Sequence, residues 1–347
     1  MRCKRCRSKP VVLKLPRHHT ALCADCFDHY VVDQVERAIR HYKMFRREEP
    51  VLVAVSGGKD SLGLWDLLDR MGYRTTGVHV QQGIDGYSRD SETTTRAFAE
   101  ARGLPLVVHD LAREYGGGVT AMAEASRRSA CSACGTVKRY AFNTIGRELG
   151  FQVVATGHNL DDEAARLLGN LLHWQVDYLS KQSPALPSSH AKLVRKVKPL
   201  FRLTEREMAA YAVLRKIEYV IDECPMSHDA NSLQYKAALN QLEQHSPGTK
   251  QFFYLEFLRR QPLAGVGAAA EEVVLNECVR CGEPTTGTLC GHCRVVEPLR
   301  QARPTIPGRR QIDAAPAAPV APMVPSPPLS SVSPVSPVSP VSIDWDS

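Results

Sequence analysis

The chain has 347 residues, 43% of them apolar, so it is long enough for one large core or two modest domains and is not disordered throughout. Its 44 Lys and Arg against 37 Asp and Glu give a net charge of +7, a mild excess that permits a nucleic-acid partner without requiring one. No apolar run approaches the roughly 20 residues that span a bilayer, and the N-terminal MRCKRCRSKP has no hydrophobic signal region. We therefore expect a cytoplasmic protein that has no contact with membranes.

Eight of the 11 cysteines form four C-x-x-C pairs, two near each end of the chain. The pairs are Cys3 with Cys6, Cys23 with Cys26, Cys278 with Cys281, and Cys290 with Cys293. Two residues between cysteines let both thiolates face one ion, and two such pairs complete a tetrahedral four-sulfur site without another ligand. Disulfides are the weaker interpretation in a chain without a secretion signal. The spacing predicts two structural zinc ribbons, at residues 1–29 and 271–296.

Between and beyond the ribbons, the pattern of apolar residues predicts four further segments. Apolar residues recur at helical spacing through YVVDQVERAIRHYKMF, which indicates a connecting helix over 30–49. From 50 to 225, β-branched runs such as VLVAV, TTGVHV and FQVVATGHN alternate with helical stretches. This alternation predicts an α/β fold, a doubly wound parallel sheet with helices on both faces. A helical extension follows over 226–270, and residues 297–347, rich in Pro and Ser, are predicted to be a disordered tail.

The stretch SGGKDS follows VLVAV and precedes a helical pattern, so it is the turn at the carboxyl edge of the sheet, where open α/β folds bind ligands. Its glycines let the backbone approach a ligand, and N–H groups and the helix dipole at the helix start favour an anion. It lacks the G-x-x-x-x-G-K-S/T spacing of a Walker loop. The residues of this predicted anion site are Ser56, Gly57, Gly58, Lys59, Asp60 and Ser61. The alternative is an ordinary turn capped by Ser56 or Asp60.

SGGKDS after a strand resembles the PP-loop of the N-type ATP pyrophosphatases, and TGHNLDDEA at 156–164 resembles their G-H-x-x-D-D motif, which includes Gly157. The terminal ribbons, the central CSACG with Lys138 four residues on, and Cys224 in a distant ECP together resemble the TtuA-type tRNA 2-thiouridine synthetases. This resemblance covers about residues 1 to 295. It implies an adenine nucleotide alpha hydrolase-like fold that binds ATP and cleaves it between the α- and β-phosphates to adenylate a carbonyl oxygen.

Three cysteines, Cys131, Cys134 and Cys224, lie outside the ribbons. The sequence SACSACGTVKRY places the first two in a loop that leads into a helix, and Cys224 ends EYVIDEC. The resemblance implies that the three bind a [4Fe–4S] cluster, in which one iron lacks a protein ligand and can bind the sulfide to be transferred. Two alternatives stay open. Cys131 or Cys134 can carry a persulfide that another thiol resolves, or all three can be buried core cysteines.

Adenylating uridine at its C2 carbonyl requires in-line attack at the α-phosphate, and a positioned cation and Mg²⁺ stabilise the charge that develops on pyrophosphate. Lys59 is expected to contact the phosphates, and Lys138, at the family's lysine position, can lie between ATP and the base. Asp161 and Asp162 begin a helix, so one can cap it while the other reaches Mg²⁺ or the uridine. The resemblance favours Asp162 as catalytic. The alternative is that both acids only complement the helix dipole.

Basic clusters at 40–47, 138–140 and 195–199 mix cations with aromatic residues, which suits contacts with RNA, although each can also be a solvated surface. Beside an adenylating core, this makes tRNA the expected substrate. The resemblance implies a ubiquitin-like thiocarboxylated sulfur carrier as partner and suggests a homodimer. We interpret the chain as an ATP-dependent tRNA uridine 2-sulfurtransferase acting on T-loop 5-methyluridine 54. The alternatives are a wobble-uridine thiolase and a non-catalytic zinc-ribbon scaffold that binds tRNA.

Overall fold

A computed structural model describes residues 1–227, 231–260 and 275–302 of the chain. In chain order, its first elements are β1 (Leu13–Leu15), β2 (Thr20–Leu22), α1 (Ala24–His41), β3 (Val51–Val55), α2 (Lys59–Arg70), β4 (Thr75–Gln81), α3 (Tyr87–Arg102), β5 (Leu106–Asp110), α4 (Leu111–Tyr115), α5 (Val119–Ser126) and α6 (Ala130–Glu148). They are followed by β6 (Val153–Thr156), α7 (Leu160–Leu172), α8 (Val176–Ser180), β7 (Ala185–Leu186), β8 (Arg195–Val197), α9 (Glu205–Leu214), α10 (Asn231–His245), α11 (Thr249–Arg260), β9 (Asn276–Glu277), β10 (Pro284–Thr285) and α12 (Gly291–Ala302).

The central sheet has six strands in the order β5-β4-β3-β6-β8-β7. Strands β3, β4, β5, β6 and β8 run parallel, and the apolar run of β3 is buried at the centre, as expected for a strand covered on both faces. The α/β prediction is confirmed. The sheet is not wholly parallel, however, because β7 pairs antiparallel with β8 at one edge. β7 was not predicted, because it is only two residues long and such a short segment shows no alternation of apolar and polar residues.

Helices cover both faces of the sheet, as predicted. On one face, α1, α2, α9 and α11 pack around large aromatic side chains such as Trp65 and Tyr254, both inaccessible to solvent. On the other face, α5, α6 and α12 bury Met122, Val137 and Val295. Burial of each such side chain contributes about 1.5–3 kcal/mol, and the two layers leave the carboxyl ends of β3, β4 and β6 open to a cavity.

Two helices differ from their predicted bounds, because packing and local backbone conformation decide where they begin and end. α1 begins at Ala24, so the connecting helix predicted over 30–49 starts earlier and includes a cysteine of the first ribbon. It ends at His41, so the prediction is wrong for residues 42–49; Lys43, with φ of +46°, has the left-handed conformation that ends helices. α12 continues to Ala302, so the start of the tail predicted over 297–347 is helical. The rest of that tail lies outside the described residues. The predicted extension over 226–270 contains α10 and α11, and its last ten residues also lie outside the described part.

The segment around CSAC is helical, which corrects the predicted loop. α6 begins at Ala130, and the Ser129 side chain caps it by accepting a hydrogen bond from the Ser132 N–H. Cys131 and Cys134 therefore lie in the first turns of a 19-residue helix. The small polar residues of this segment are typical of a loop in sequence. The Ser129 cap and the packing of the rest of α6 on the core nevertheless make the segment helical. In the described part of the chain, no helix has the length and apolar character needed to cross a membrane.

Candidate active site

The turn between β3 and α2 is held by contacts within SGGKDS. The hydroxyl of Ser61 donates to the Gly58 carbonyl over 3.0 Å and accepts from the Ser56 N–H over 3.1 Å. Gly57 has φ of +78°, and a Cβ on it would lie 2.7 Å from the backbone oxygen of Ser91. Gly58 is the N-cap of α2 and makes no side-chain cap bond, so the capped turn of the alternative interpretation is not formed.

A cavity of about 320 Å³, the PP-loop cavity, lies at the carboxyl ends of β3, β4 and β6. Its lining consists of Ala54, Val55, Ser56, Asp60, Ser61, Val80, Gln82, Lys138, Phe142, Thr156, Gly157 and His158. The fold thus brings Lys138 and Gly157 to the predicted anion turn, although they are far from it in sequence. Gly157 packs so closely that a Cβ on it would lie 2.8 Å from the Ser61 nitrogen.

Lys59 does not line this cavity. Its ammonium lies 2.9 Å from Glu205 Oε1 and 3.1 Å from Asp60 Oδ2, at the wall of a second cavity of about 700 Å³. Burial lowers the pKa of Lys59, but Asp60 and Glu205 outweigh it and raise that pKa above its usual value. Burial raises the pKa of Asp60 to about 6, against the opposing charge of Lys59. The lysine expected to contact phosphate is therefore held by the Glu205 carboxylate in this structure.

Asp162 is bonded through both carboxylate oxygens. Oδ2 accepts from the Asn159 N–H over 3.0 Å, and the Asn159 side chain accepts from the Asp162 N–H over 3.2 Å, which forms a capping box at the start of α7. Oδ1 lies 2.6 Å from Lys236 Nζ on α10. Burial raises the pKa of Asp162, but the charge of Lys236 outweighs it and holds that pKa below its usual value. Asp162 is therefore kept ionised.

Asp161 is buried and has a different set of partners. Its Oδ1 lies 2.5 Å from Lys250 Nζ on α11, and its Oδ2 accepts from the Glu205 N–H over 2.9 Å. That N–H is one of the donors that the start of a helix leaves without an intrahelical partner. Asp161 therefore joins α7 to α9 and α11, whereas Asp162 faces α10.

Four side chains of alternating charge connect the PP-loop turn to Asp162: Lys59, Glu205, Lys236 and Asp162. The middle contact, from Lys236 Nζ to Glu205 Oε2, measures 3.4 Å. Neither Glu205 nor Lys236 was predicted as a site residue. The sequence TERE indicates the capping box that starts α9, but nothing local reveals that Glu205 faces Lys59. Lys236 has no sequence signal, because only the packing of α10 on α7 brings it to Asp162.

The two cysteines of CSAC lie beside the PP-loop cavity and beside the Cys224 segment. Cys134 Sγ donates to Gln82 Oε1 over 3.6 Å, and Gln82 lines that cavity. Cys131 Sγ donates to the Met226 carbonyl over 3.3 Å, two residues after Cys224. None of the three forms a disulfide; Cys131 is exposed and the other two are half-buried, which contradicts the buried-core alternative.

The terminal cysteine groups have the geometry of single-ion sites. In each group the four sulfurs lie within 4.8 Å of one another, with 3.7 Å between Cys6 and Cys23 and 3.8 Å between Cys278 and Cys293. A tetrahedral ion with Zn–S bonds of about 2.3 Å places its sulfurs about 3.8 Å apart. Each of the two groups therefore fits one zinc ion of its own. Within residues 1–227, 231–260 and 275–302, the three central cysteines do not gather this closely.

Parts of the predicted basic clusters make contacts within the protein. Arg47, in the 40–47 cluster, lies 4.6 Å from the centre of the Tyr73 ring. Tyr140, in the 138–140 cluster, stacks on His292 of the C-terminal ribbon with 3.5 Å between ring centroids. The aromatic residue of this second cluster is thus used to dock the ribbon on α6 and is not free to stack on RNA.

Comparison with known proteins now assigns the family. Residues 30–232 match a PP-loop domain, and residues 2–28 match the N-terminal LIM domain of the 2-thiouridine synthetase TtuA. Over 296 residues the chain is 50% identical to the tRNA-5-methyluridine(54) 2-sulfurtransferase of Thermus thermophilus, covering 85% of this chain and 91% of that one. Over 310 residues it is 41% identical to the Thermotoga maritima protein of the same name, covering 88% of this chain and 100% of that one. The chain belongs to the TtuA family.

A solved structure agrees with this TtuA-family fold. The U34-tRNA thiolase NcsA from Methanococcus maripaludis, solved with its [4Fe-4S] cluster, has a TM-score of 0.71 to this chain. The two are 24% identical, and the match covers 86% of this chain and 96% of that one. The likeness concerns the fold, and it confirms the predicted PP-loop architecture of the TtuA family for this chain.

Proposed function

We propose that the chain is an ATP-dependent tRNA sulfurtransferase that replaces the C2 oxygen of 5-methyluridine 54 with sulfur. One observation carries this most directly: the PP-loop turn, Lys138 and Gly157 line one cavity, and the thiol of Cys134 bonds to Gln82, which lines the same cavity. A nucleotide-activating site and a thiol able to handle sulfur thus meet. The relatives in Thermus thermophilus and Thermotoga maritima bear the name of this activity.

The phosphates of ATP are expected at the PP-loop turn. Backbone N–H groups at the start of α2 and the hydroxyls of Ser56 and Ser61 can donate to them, and Gly57 and Gly58 carry no side chain that would shield those groups. Because the turn ends in a helix N-terminus, the helix dipole adds a favourable potential for the anion.

When ATP binds, Lys59 is proposed to leave Glu205 and to pair with a phosphate oxygen, because a triphosphate carries more negative charge than one carboxylate. Asp60, whose pKa is raised to about 6 by burial, is still mostly ionised at pH 7 and would bind Mg²⁺ from the cavity wall. Once Lys59 has left Glu205, the only ion pair of Glu205 among the described residues is the one with Lys236. Because Lys236 also pairs with Asp162, nucleotide binding would change the charges around Asp162.

Lys138 and Asp162 are the residues proposed to act on the reacting groups. Lys138 lines the PP-loop cavity, where its charge can stabilise the α-phosphate as the uridine O2 attacks and pyrophosphate leaves. Attack by O2 makes the base ring electron-poor, and an ionised Asp162 can accept a hydrogen bond from its N3–H and stabilise that charge. Asp161, buried against Lys250, is proposed to position α7 rather than to touch the substrate.

Cys131, Cys134 and Cys224 fit as ligands of a [4Fe–4S] cluster. They are at least partly accessible and form no disulfide, and the Met226 contact holds the Cys224 segment against the first turn of α6. When bound, such a cluster can supply an iron without a protein ligand for an external sulfide. The persulfide alternative uses the same thiols. The two terminal groups would each hold a structural Zn²⁺, and the sulfur carrier, the homodimer and the cytoplasmic location stay predictions.

The direct test is an anaerobic assay of reconstituted protein with ATP, sulfide and a tRNA that carries 5-methyluridine 54. We expect tRNA-dependent release of AMP and pyrophosphate, and 2-thio-5-methyluridine in the digested tRNA by mass spectrometry. Lys138→Ala should abolish AMP formation, whereas Cys224→Ala should abolish thiolation and retain ATP binding. Absence of both products would favour the scaffold alternative. Thiolation of a wobble uridine instead would assign the chain to the other target.

A further inference from the structure

The segment LLHWQVDYL, which follows the second motif, has no part in the proposed chemistry so far. It spans the end of α7 and most of α8, and it exposes an unusual amount of apolar surface. Trp174 is 79% exposed, Tyr178 is 65% exposed and Leu172 is 60% exposed. Scattered apolar residues are common on protein surfaces, but neighbouring large ones mark a contact surface.

Trp174 also has an unfavourable backbone conformation. It follows the last residues of α7 with φ of +48°, the left-handed position that glycine usually fills after a helix. A bulky residue in this region is an outlier that costs free energy. The chain thus carries two costs at one position, a strained backbone and an exposed indole ring, and neither is offset by packing on the core.

Next to Trp174 lies a third cavity, of about 530 Å³, between α7 and α10. Its wall includes His173 and Gln175, on either side of Trp174, as well as Asp162. His158 lines both this α7–α10 cavity and the PP-loop cavity, so the two meet at one side chain. A group in the α7–α10 cavity would therefore lie beside Asp162 and open toward the nucleotide.

The charges around this entrance suit a polyanion. Arg166 lines the α7–α10 cavity, and Arg139 on α6 lies near both Arg166 and Tyr178. The pKa of Arg139 is lowered, first by partial desolvation and then by the like charge of Arg166. Among the ion pairs of the described residues, neither arginine has a carboxylate partner. Repulsion between two arginines that have no carboxylate partner is relieved when a phosphate lies between them.

We propose that the α7–α10 cavity receives the target nucleoside of an RNA, turned out of its stack, and that Trp174 is a stacking platform for an adjacent base. Arg139 and Arg166 would contact the phosphates of the same strand. RNA is favoured over a second protein chain because the aromatic surface adjoins cations that have no carboxylate partner, and recognition of unstacked bases by aromatic rings is typical of RNA-binding sites. This inference rests on the proposed function, since it names where the substrate of that reaction lies.

The test compares three substitutions at one exposed position. Stacking of a base contributes about 5-fold to 150-fold in affinity, so Trp174→Ala and Trp174→Gly should each weaken binding of an unmodified tRNA about 5-fold or more. Trp174→Phe should keep most of the affinity. Trp174→Gly should also raise thermal stability, because glycine adopts the left-handed conformation without strain. Phe252→Ala, at an aromatic residue that is 68% exposed on α11, is the matched control and should bind tRNA as the wild type does.

A spectroscopic signature separates stacking from an indirect effect. The chain has three tryptophans, of which Trp65 is fully buried and Trp345 lies outside the described residues. In a Trp345→Phe background, tRNA should quench the fluorescence of Trp174, and the further substitution Trp174→Phe should remove that quenching. ATP affinity, measured in parallel, should not change, because Trp174 does not line the PP-loop cavity.

Unchanged tRNA affinity in both Trp174→Ala and Trp174→Gly would overturn the inference. So would dissociation of a dimer in these variants with tRNA affinity retained, which would show that the surface joins two copies of the chain. A different result would refute the proposed function. If the wild-type protein binds tRNA through Trp174 but forms neither AMP nor a thionucleoside, the proposed reaction is wrong and the inference about the binding surface is retained.

Discussion

Gly57 is the position in the PP-loop turn where one added methyl group should have the largest effect. Its φ of +78° is left-handed, and a Cβ would lie 2.7 Å from the backbone oxygen of Ser91 on α3. The left-handed conformation costs a non-glycine residue roughly 1–2 kcal/mol. The clash adds to this cost, because that oxygen cannot move unless α3 moves. We expect Gly57→Ala to lower the free energy of unfolding by at least about 2 kcal/mol.

The same substitution should weaken ATP binding at least about tenfold, which corresponds to about 1.4 kcal/mol. We expect relief of the clash to rotate the turn and to move the N–H groups that follow Gly57 away from the phosphate position. Urea denaturation measures the change in stability, and a calorimetric titration with ATP and Mg²⁺ measures the change in affinity.

Two other glycines separate the contributions. Gly58 has φ of −85° and its nearest neighbour would be Ser56 Oγ at 3.6 Å, so Gly58→Ala should cost less than about 1 kcal/mol. Gly103 has φ of +62° with nothing within 4 Å, so Gly103→Ala tests the backbone strain without a clash. It should cost roughly 1–2 kcal/mol and leave ATP binding unchanged. If Gly57→Ala were no worse than Gly103→Ala in stability and ATP affinity, the clash with Ser91 would be refuted.

Three further predictions concern charge and metal. Burial raises the pKa of Asp60 to about 6 from 3.8, a difference worth about 3 kcal/mol, so its ionisation opposes folding above that pKa. As the pH is lowered from 8 to 4, the unfolding free energy of the wild type should rise by up to about 3 kcal/mol relative to that of Asp60→Asn. Urea titrations at several pH values measure this difference, and a difference that stays constant across the range would contradict the prediction. Lys236→Met should raise the pKa of Asp162 and move the acidic limb of the pH–rate profile upward, whereas Lys236→Arg should leave it in place; identical profiles would exclude the pairing. Metal analysis should find two zinc ions per wild-type chain and one per chain of Cys278→Ser. The substitution should also lower the melting temperature, because Glu283 of that ribbon bonds to α6. Two zinc ions in the variant would show that the ribbon does not bind zinc through Cys278.

The features that the sequence predicted well are those whose chemistry is local. Two residues between cysteines bring both sulfurs to one ion whatever surrounds them, so the terminal groups formed as expected. The apolar run and the SGGKDS turn likewise determine a buried strand, a tight turn and a helix start within a dozen residues. The predicted boundaries of α1, α6 and α12 were wrong, because packing decides where these helices begin and end.

The sequence by itself also determined which residue types stand ready for chemistry: the PP-loop hydroxyls, Lys138, the adjacent acids and three cysteines outside the ribbons. The resemblance favoured Asp162 as catalytic, but the residue types alone could not assign different roles to Asp161 and Asp162, which are neighbours in the chain. The tertiary structure separates them, because α11 brings Lys250 to Asp161 while α10 brings Lys236 to Asp162. It also decided that Lys59 is held by Glu205 and that Trp174 adjoins a cavity. Contacts between distant helices depend on how the whole core packs, and no local pattern encodes them.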